Sequence, residues 1–575
     1  MSEILFQYER ISPTTWVYVS SLMTIGLFFK FGRLWSVRNL DLLLLIALAP
    51  GLLMVVQGEK LRRTPPDQVT AAVAEFTDGT PDVQRDIPRD GNDAGEARDG
   101  LPRGATGDDF LSVNADEADD AGPISTTEDF RVVDASEPAS DADADDGGEP
   151  DGLILPTPDG FPEDPADLIG SGPATAITNG AKEQLPPQVV KGRYIEARGY
   201  VWLFVVGVLL LARLLIDPNM VRRPLLEPNL NTGGMVFLGC ALLIFLMANV
   251  ITSTSTDEDL YGPATARELM ARRDTSGDAD ALAKHGPGLR VISMLPSVST
   301  GALVEPPADM PRTQQQRFAE VVTAKTMAIL CHLAIVVGMV MIGYWHFGNI
   351  KMGIGAATLY LLMPYTAEMT GRVAHAIPGA LLVWALATYR RPLVSGMFFG
   401  LAAGVIYYPL YLLPLWCSFY WQRGLARFAG GVLAMLALLS LSLVFTSEDF
   451  ASFWLQFTAM FGIHAPAMTE LEGIWRFAWD TAYRIPILAA FIALAGTLAL
   501  WPPRKNFGTL LSCSGAVMLA VQFWTGYYGG GGTIMAWYLP LLLLTVFRPN
   551  LEDRVAISVL DKGHWPRLAS VNQAA

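Results

Sequence analysis

The sequence predicts an all-α protein: a polytopic integral membrane helical bundle of about 13 helical segments, carrying a long disordered acidic external insert. Of its 575 residues, 51% are apolar and only 17% are charged, whereas about a quarter are charged in a typical soluble protein. Apolar runs long enough to cross a bilayer recur along the chain, and the acidic residues are concentrated in one polar stretch. These observations exclude a soluble enzyme and a nucleic-acid-binding protein as starting interpretations.

Charge is distributed very unevenly along the chain. Residues 58–190 contain 31 acidic and nine basic residues, a net charge of −22, although the whole chain carries only −15. The remaining residues therefore carry +7. The acidic stretch is rich in Asp, Ala, Gly and Pro, so it buries too little apolar surface to offset the entropy of ordering the chain. We expect it to be a disordered insert.

Apolar runs with the length of a membrane span predict the helices. They cover residues 15–31, 39–57, 199–216, 233–252, 321–345, 350–369, 373–389, 425–446, 484–501, 507–525 and 533–547. A further apolar stretch, from Pro392 to Trp421, is too long for one straight span and contains Pro409 and Pro414. Because proline inside a helix removes a hydrogen bond and clashes with the preceding turn, we expect a hairpin of two short helices that meet near Tyr407, shielded from lipid by other helices.

Basic residues in the short loops orient the chain in the membrane. The basic turns contain Lys30, Arg33 and Arg38, Arg222 and Arg223, Arg390 and Arg391, Arg423, Arg504 and Lys505, and Arg548. If all of them are cytoplasmic, the spans alternate correctly, provided that the hairpin returns to its starting side. The N-terminus and the acidic insert are then external. The inverted orientation is the alternative, because further basic residues flank the insert on the predicted outside.

This interpretation divides the chain into six regions. They are an N-terminal two-helix membrane segment (1–57), the insert (58–190), two transmembrane helices (191–252), an external polar loop (253–320), a multi-helix membrane domain (321–547) and a cytoplasmic tail (548–575). The external polar loop is rich in proline and glycine, so we expect it to be only partly ordered.

Motifs of the common soluble enzyme classes are missing from the sequence. It has no phosphate-binding loop, no dinucleotide-binding glycine motif, no zinc-protease helix and no nucleophile elbow. Its six histidines are scattered without the spacing of metal ligands. No metal site is therefore predicted from the sequence.

The stretch from Thr358 to Phe428 carries the most informative pattern. Its features are a span ending in Pro364, a basic turn at Arg390-Arg391-Pro392, the small-residue helix SGMFFGLAAG (395–404), a break at Tyr408-Pro409 and a second basic turn at Trp421-Gln422-Arg423. In this organisation the chain resembles the GT-C class of membrane glycosyltransferases, which use polyprenyl-phosphate sugars, particularly its bacterial mannosyl- and arabinosyltransferase-like members. The resemblance covers about 70 residues of the 575.

The small-residue helix also has a purely structural interpretation. Gly396, Gly400 and Gly404 recur every four positions and therefore lie on one face of a helix. Small residues on one face let two helices approach each other closely in a membrane. We expect this face to pack against a neighbouring helix.

The resemblance implies inverting glycosyl transfer at the external face of a bacterial-type cytoplasmic (inner) membrane, in a multi-pass protein. An external carboxylate near a helix end would deprotonate the acceptor hydroxyl, and cationic or hydrogen-bonding groups would hold the lipid phosphate as it leaves. The expected partners are membrane lipid and a lipid-linked sugar donor, with no nucleic acid. No cofactor is certain, and a divalent cation is left open.

Two places in the chain can supply the catalytic acid that the resemblance implies. Asp257, Glu258 and Asp259 directly follow the span 233–252. We take Asp257 and Asp259 as catalytic candidates, with a solvated helix cap as the alternative.

The second place is Glu368, at the predicted external end of the span 350–369. Arg372 and His375 follow it at spacings of four and three residues, which puts all three on one face if the turn stays helical. We take Glu368 as a catalytic candidate and Arg372 and His375 as substrate-binding candidates. An interfacial ion-pair network is the alternative.

A further acid and base flank the start of a later span. Asp480 and Arg484 are candidates for substrate binding. In the same segment, Trp475, Trp479 and Tyr483 recur every four residues, an aromatic stripe typical of a helix that lies in the membrane interface.

A non-catalytic membrane scaffold or a transporter is the rival function. A transporter would favour charges within spans or two repeated halves with broken helices. The sequence shows one broken element without a second copy. Only Arg213 is placed deep in a predicted span, whereas Asp41 and Lys325 lie near span ends.

Overall fold

The computed structural model describes residues 11–63, 186–220, 226–270, 286–303, 311–447, 449–463, 471, 473–503, 505–525 and 534–549. All of them belong to one compact unit of the chain. The predicted disordered insert covers residues 58–190, and its central part, residues 64–185, lies outside the described residues. The predicted cytoplasmic tail, residues 548–575, lies outside them beyond residue 549.

Helices make up nearly all of the described structure, which contains no strand. In chain order they are α1 Pro13–Phe28, α2 Val37–Arg63, α3 Pro187–Ile216, α4 Thr232–Thr252, α5 Asp257–Met270, α6 Pro287–Leu303, α7 Arg312–Ile342, α8 Ile350–Leu362, α9 Pro364–Glu368, α10 Val373–Ala387, α11 Pro392–Val405, α12 Leu413–Tyr420, α13 Leu425–Thr446, α14 Phe450–Met460, α15 Ile474–Phe477, α16 Arg484–Leu500, α17 Phe507–Trp524 and α18 Met535–Phe547. The all-α class predicted from the sequence is confirmed for this part of the chain.

Seven helices in the described ranges are long and apolar enough to cross a membrane. With their adjoining turns they are Val37–Arg63, Pro187–Asn219, Thr232–Thr252, Arg312–Phe347, Leu425–Thr446, Thr481–Leu500 and Phe507–Trp524. Four shorter apolar helices, α8, α10, α11 and α18, lie among them. The chain therefore has the helices of an integral membrane protein.

Polar side chains fix where several helices begin. Asn231 accepts a hydrogen bond from the backbone N–H of Gly234 at 2.7 Å at the start of α4. Asp449 and Asn506 cap α14 and α17 in the same way, and Ser12 caps α1. Each cap satisfies a backbone donor that the first helical turn leaves unpaired.

Both ends of the acidic insert are helical, which corrects the boundaries expected at residues 58 and 190. α2 and α3 extend into the insert because they pack closely together. A Cβ atom on Gly192 would lie 2.8 Å from the Gly58 carbonyl oxygen, so the two backbones touch at these glycines. One turn further on, Arg62 Nε lies 3.3 Å from Glu196 Oε2.

The stretch 392–421 forms the hairpin predicted from its prolines. α11 ends at Val405, a short 3₁₀ turn follows at Tyr408–Leu412, and α12 leads back. The Tyr420 hydroxyl at the end of α12 donates to the Tyr389 carbonyl just before α11, at 2.7 Å. The two ends of the hairpin therefore lie side by side, as the orientation of the chain requires.

The predicted glycine face of α11 packs against α13. A Cβ on Gly396 would clash with the Phe428 carbonyl oxygen, and one on Gly400 would lie 2.9 Å from the Val432 carbonyl oxygen. From the other side, a Cβ on Gly431 would clash with the backbone of α11 at Leu393. The two helices thus approach as closely as their backbones allow.

Gly396→Ala is expected to destabilise the protein, because the added methyl group meets backbone atoms that cannot rotate away. Overpacking of this kind costs about 1–3 kcal/mol. Gly430→Ala is the matched control on α13, since a Cβ there meets nothing within 4 Å. Thermal unfolding of the purified protein in detergent measures both variants. Equal melting temperatures for the two would contradict the close approach of α11 and α13.

Basic turns meet at one end of the bundle. After α1, Lys30 Nζ donates to Asn229 Oδ1 at 2.7 Å, which joins this turn to the segment before α4. The rings of Phe28 and Phe547 are 5.4 Å apart, so the C-terminal end of α18 lies at the same place. Three turns that the sequence places in the cytoplasm therefore share one end of the bundle.

A buried network of four charges lies at this end. Arg213 contacts both carboxylate oxygens of Asp41, at 2.6 and 2.9 Å, and Asp217 at 3.0 Å. Arg548 contacts Asp217 at 2.5 Å, and a Cβ on Gly508 would overlap its guanidinium. Two arginines and two aspartates balance each other. The guanidinium of Arg213, which the sequence places deep in a span, therefore forms structural ion pairs. The network to which it belongs links α2, α3 and the end of α18.

The external polar loop contains two packed helices, α5 and α6. The Gly286 N–H before α6 donates to the Val405 carbonyl at 2.9 Å, which attaches α6 to the tip of the hairpin. Arg267 on α5 lies 2.8 Å from Glu320 on α7. Contacts with the membrane domain hold both of these helices.

The predicted interfacial helix over the aromatic stripe is wrong. α15 spans only four residues, and a separate 3₁₀ turn follows at Thr481–Tyr483. Asp480 starts this turn by accepting the Ala482 N–H at 2.9 Å, which interrupts the helical hydrogen-bond pattern. As a result Trp475 is buried whereas Tyr483 is exposed.

Candidate functional site

The start of α5 places an aspartate beside the end of α4. Thr256 immediately precedes the helix, and Asp259 Oδ2 accepts hydrogen bonds from the Thr256 N–H at 3.0 Å and from its hydroxyl at 2.7 Å. This arrangement is the backward half of a capping box. Asp259 is buried and caps the helix, which agrees with the cap interpretation of this acidic residue.

Arg372 connects the two segments that the sequence predicted separately as sources of the catalytic acid. Its Nη1 atom donates to the Thr256 hydroxyl and lies 3.5 Å from Asp259 Oδ2 and 3.6 Å from Glu258 Oε2. These contacts link the turn after α9 to the start of α5, although 113 residues separate Arg372 from Asp259. We call Thr256, Glu258, Asp259 and Arg372 the acidic cluster.

The predicted common face of Glu368, Arg372 and His375 is wrong. α9 ends at Glu368, and Arg372 has an extended backbone (φ −84°, ψ 96°) before α10 begins. The helical spacing on which the prediction depended is therefore interrupted. Arg372 turns to the acidic cluster, and His375 is buried in the first turn of α10.

Glu368 lines a cleft, and Met369 next to it also contributes to the lining. The other lining residues are Ile11, Pro13, Trp16, Val17, Leu52, Leu53, Val56, Asn249, Pro364, Tyr365 and Ala367. They come from the start of α1, the second half of α2, the end of α4 and α9. Each of these helix ends is external in the predicted orientation, so the cleft lies at the end of the bundle that carries the predicted external loops.

A buried histidine holds the turn that carries this part of the site. His332 on α7 lies with Nε2 3.1 Å from the Thr370 carbonyl oxygen and Nδ1 2.9 Å from the Tyr360 hydroxyl. Because a carbonyl only accepts, Nε2 carries the hydrogen and Nδ1 accepts the tyrosine proton. The turn between Glu368 and Arg372 is thereby fixed to α7 and α8.

A second arginine at this end of the bundle contacts only neutral groups. Arg290 on α6 is 97% buried, and its Nη1 and Nη2 atoms donate to Gln456 Oε1 at 3.2 Å and to the Tyr261 hydroxyl at 3.3 Å. Within the described residues its Nε atom has no hydrogen-bond partner, and no carboxylate pairs with it. A buried cation without a counter-ion is costly. Arg290 does not line the cleft that contains Glu368.

The other residues predicted for the site do not line the cleft, and each has a hydrogen-bond or ion-pair partner. Asp257 is 93% exposed and pairs with Arg317 at 3.0 Å. Asp480 and Arg484 do not contact each other: Asp480 caps its turn, and Arg484 Nε donates to the Trp524 carbonyl at 2.7 Å. We therefore place neither Asp480 nor Arg484 in the site.

Metal binding finds no support within the ranges that the structure describes. No group of three or more His, Cys, Asp or Glu side chains there is arranged to hold a metal ion. The acidic cluster instead neutralises its carboxylates with Arg372.

The chain matches no known protein family, no characterised protein and no solved structure. The class that its fold defines is an all-α protein with the helices of an integral membrane protein.

Several residues of the site were missed by sequence reasoning. Asn249 and Trp16 line the cleft, yet each is a single residue at the end of a long apolar run. Arg290 stands in a polar loop, where an arginine is ordinary. An asparagine near the end of an otherwise apolar span is the one signal that could have directed attention to Asn249.

Proposed function

We propose that the protein is an integral membrane glycosyltransferase that transfers a sugar from a polyprenyl-phosphate donor at the external face of a bacterial-type inner membrane. The proposal includes a bundle of about 13 membrane segments and an external acidic insert. The observation that carries it is the placement of Glu368 in a mainly apolar cleft, among the helix ends that are external in the predicted orientation. A carboxylate in a mainly apolar cleft suits a reaction between a lipid-linked donor and a hydroxyl acceptor.

Glu368 is the proposed general base. Asp259 is a weaker choice because it caps α5 and does not line the cleft, and Asp257 is exposed and pairs with Arg317. In the reaction, the acceptor oxygen forms a bond to the anomeric carbon while the bond from that carbon to the donor phosphate oxygen breaks. The hydroxyl proton passes to Glu368, and the polyprenyl phosphate leaves with the negative charge.

Arg290 is the proposed partner of the leaving phosphate. Its guanidinium has neutral neighbours among the described residues, whereas Arg372 is paired with Glu258 and Asp259. Arg290 does not line the Glu368 cleft, so in this proposal the phosphate binds at Arg290 outside the cleft lining. Stabilising the charge that develops on the leaving group lowers the barrier for transfer. The divalent cation left open by the resemblance is not required in this scheme.

Release of polyprenyl phosphate tests the proposed function directly. The full-length protein is reconstituted in phosphatidylglycerol vesicles with polyprenyl-phosphate mannose or arabinose carrying a radioactive sugar. We expect protein-dependent loss of label from the donor and its appearance in a new product. Unchanged donor with both sugars would count against the transferase and favour the non-catalytic scaffold.

The orientation of the bundle is tested by cysteine labelling in cells. Asp257→Cys lies on the predicted external side and Gln422→Cys in a predicted cytoplasmic turn, and both positions are exposed. We expect a membrane-impermeant maleimide to label Asp257→Cys in intact cells and Gln422→Cys only after permeabilisation. The unmodified protein, with its four native cysteines, gives the background. Labelling of both variants in intact cells would reject the orientation and the external active site together.

A further inference from the structure

The cleft that contains Glu368 has two buried polar groups for which the described residues supply no hydrogen-bond partner. Asn249 is 5% exposed and its Oδ1 atom has no hydrogen-bond partner in the described structure. Trp16 is 8% exposed, and its indole N–H also has no partner among the described residues. Both residues line the cleft. An unsatisfied buried polar group is costly, and a lining position makes a ligand the natural partner.

Most of the cleft surface is aliphatic or aromatic. Leu52, Leu53 and Val56 from α2 form one side, and Val17 and Met369 extend the apolar lining on α1 and after α9. A water-soluble sugar chain would leave these side chains without apolar contacts. A ligand with a hydrocarbon portion would cover them and gain the free energy of burying apolar surface.

The hydrogen-bonding groups of the cleft are complementary to a hydroxyl group. The indole N–H of Trp16 donates a hydrogen bond, the Asn249 Oδ1 atom accepts one, and the Glu368 carboxylate accepts a proton. A hydroxyl group is both a donor and an acceptor. It can therefore satisfy the indole N–H with its oxygen and an acceptor with its hydrogen.

We propose that the cleft binds an amphipathic alcohol, a lipid whose hydroxyl is held by Asn249 and Trp16 and whose hydrocarbon portion lies against α1 and α2. The role of this hydroxyl as the sugar acceptor rests on the proposed transferase function. In that role Asn249 and Trp16 are positioning residues that hold the lipid hydroxyl in the cleft. The hydroxyl hydrogen turns from Asn249 Oδ1 to the Glu368 carboxylate before Glu368 removes it, while the Trp16 N–H still holds the oxygen. The acceptor would then be a membrane lipid.

Competition photolabelling tests the binding site without requiring catalysis. The full-length protein in phosphatidylcholine vesicles is irradiated with a long-chain primary alcohol that carries a diazirine, and the labelled peptides are identified by mass spectrometry. We expect label in residues 11–17, 52–56 and 364–369. The unlabelled alcohol should compete about tenfold better than its methyl ether, which lacks the hydroxyl hydrogen.

Two variants of the cleft test the roles of its polar groups. Asn249→Leu should bring the competition by alcohol and ether to within a factor of about two, because the hydroxyl hydrogen loses its acceptor. Trp16→Phe removes a donor that the oxygens of alcohol and ether both accept, so it should weaken competition by both and keep the preference for the alcohol. Label should stay in the cleft in both variants. Thr358→Val is the matched control, since the Thr358 hydroxyl is also buried and without a hydrogen-bond partner among the described residues but does not line the cleft. It should retain the full preference for the alcohol.

The possible results distinguish the proposed hydroxyl-binding site from the proposed transferase activity. Equal competition by alcohol and ether in the unmodified protein, or label outside the cleft, would overturn the hydroxyl-binding site even if sugar transfer occurs. Hydroxyl-selective labelling in a protein that shows no transfer would support the site and reject the transferase. Loss of selectivity in the Thr358→Val control would overturn the assignment to Asn249 and Trp16.

Discussion

Replacing Glu368 with glutamine is expected to reduce sugar transfer from a polyprenyl-phosphate donor by about 10²- to 10⁴-fold, the usual contribution of a general base. The amide keeps the shape of the side chain but cannot accept the proton of the acceptor hydroxyl. Glu368 is half-buried and lies at the end of the short helix α9, so the substitution should leave the bundle folded. Initial rates at saturating donor in reconstituted vesicles measure the effect.

Asp449→Asn is the matched control for this carboxylate-to-amide change. Asp449 caps α14 outside the cleft, and asparagine caps a helix about as well as aspartate. We expect transfer by this variant to equal that of the unmodified protein. Full activity of Glu368→Gln would remove Glu368 as the base, and Glu258, which lies 3.6 Å from Arg372, would be the next carboxylate to test.

The second large effect is expected at the buried charge network. Among the described residues, Asp217→Asn leaves Asp41 as the one carboxylate paired with Arg213 and Arg548, so these three charges sum to +1 in a site where Asp217 is fully buried. Removing one partner of a buried ion pair costs about 3–5 kcal/mol. We expect a marked fall in melting temperature in detergent and little folded protein at 37 °C.

A double-mutant cycle separates charge balance from loss of packing. Arg548→Gln alone leaves a net charge of −1, whereas the combination with Asp217→Asn restores neutrality. The double variant should therefore be less destabilised than the sum of the two single variants, by about 0.5–3 kcal/mol. Asp257→Asn is the exposed control and should change stability by at most about 1 kcal/mol. Strict additivity would show that Asp217 and Arg548 are not coupled.

Much of the helical architecture could be predicted from local patterns in the sequence. Two prolines at 409 and 414 predicted the hairpin, because a proline cannot continue the helical hydrogen bonds. The spacing of Gly396 and Gly400 predicted a close helix contact, although it did not name α13 as the neighbour. The aromatic stripe failed as a helix prediction because Asp480 caps a new turn within it.

The candidate site was predicted only in pieces. The sequence singled out Asp259 and Arg372 in separate segments, and their contact appears only in the folded chain. The common face of Glu368 and Arg372 was wrong, because helical spacing says nothing about a turn whose backbone leaves the helix. Asn249 was passed over, since its importance lies in a cleft formed by four separate elements.

The sequence by itself determined that this is a helical protein of the membrane type, and where most of its helices run, because length and apolar content decide whether a segment can cross a bilayer. Only the tertiary structure decided which helices are neighbours. An apolar helix face contacts lipid about as favourably as it contacts another apolar helix. Which helices pack together therefore depends on close contacts at glycines and on polar partners such as Asp217 and Arg548, which are 331 residues apart. The candidate site is a product of that pairing, since its groups come together only where those helix ends meet.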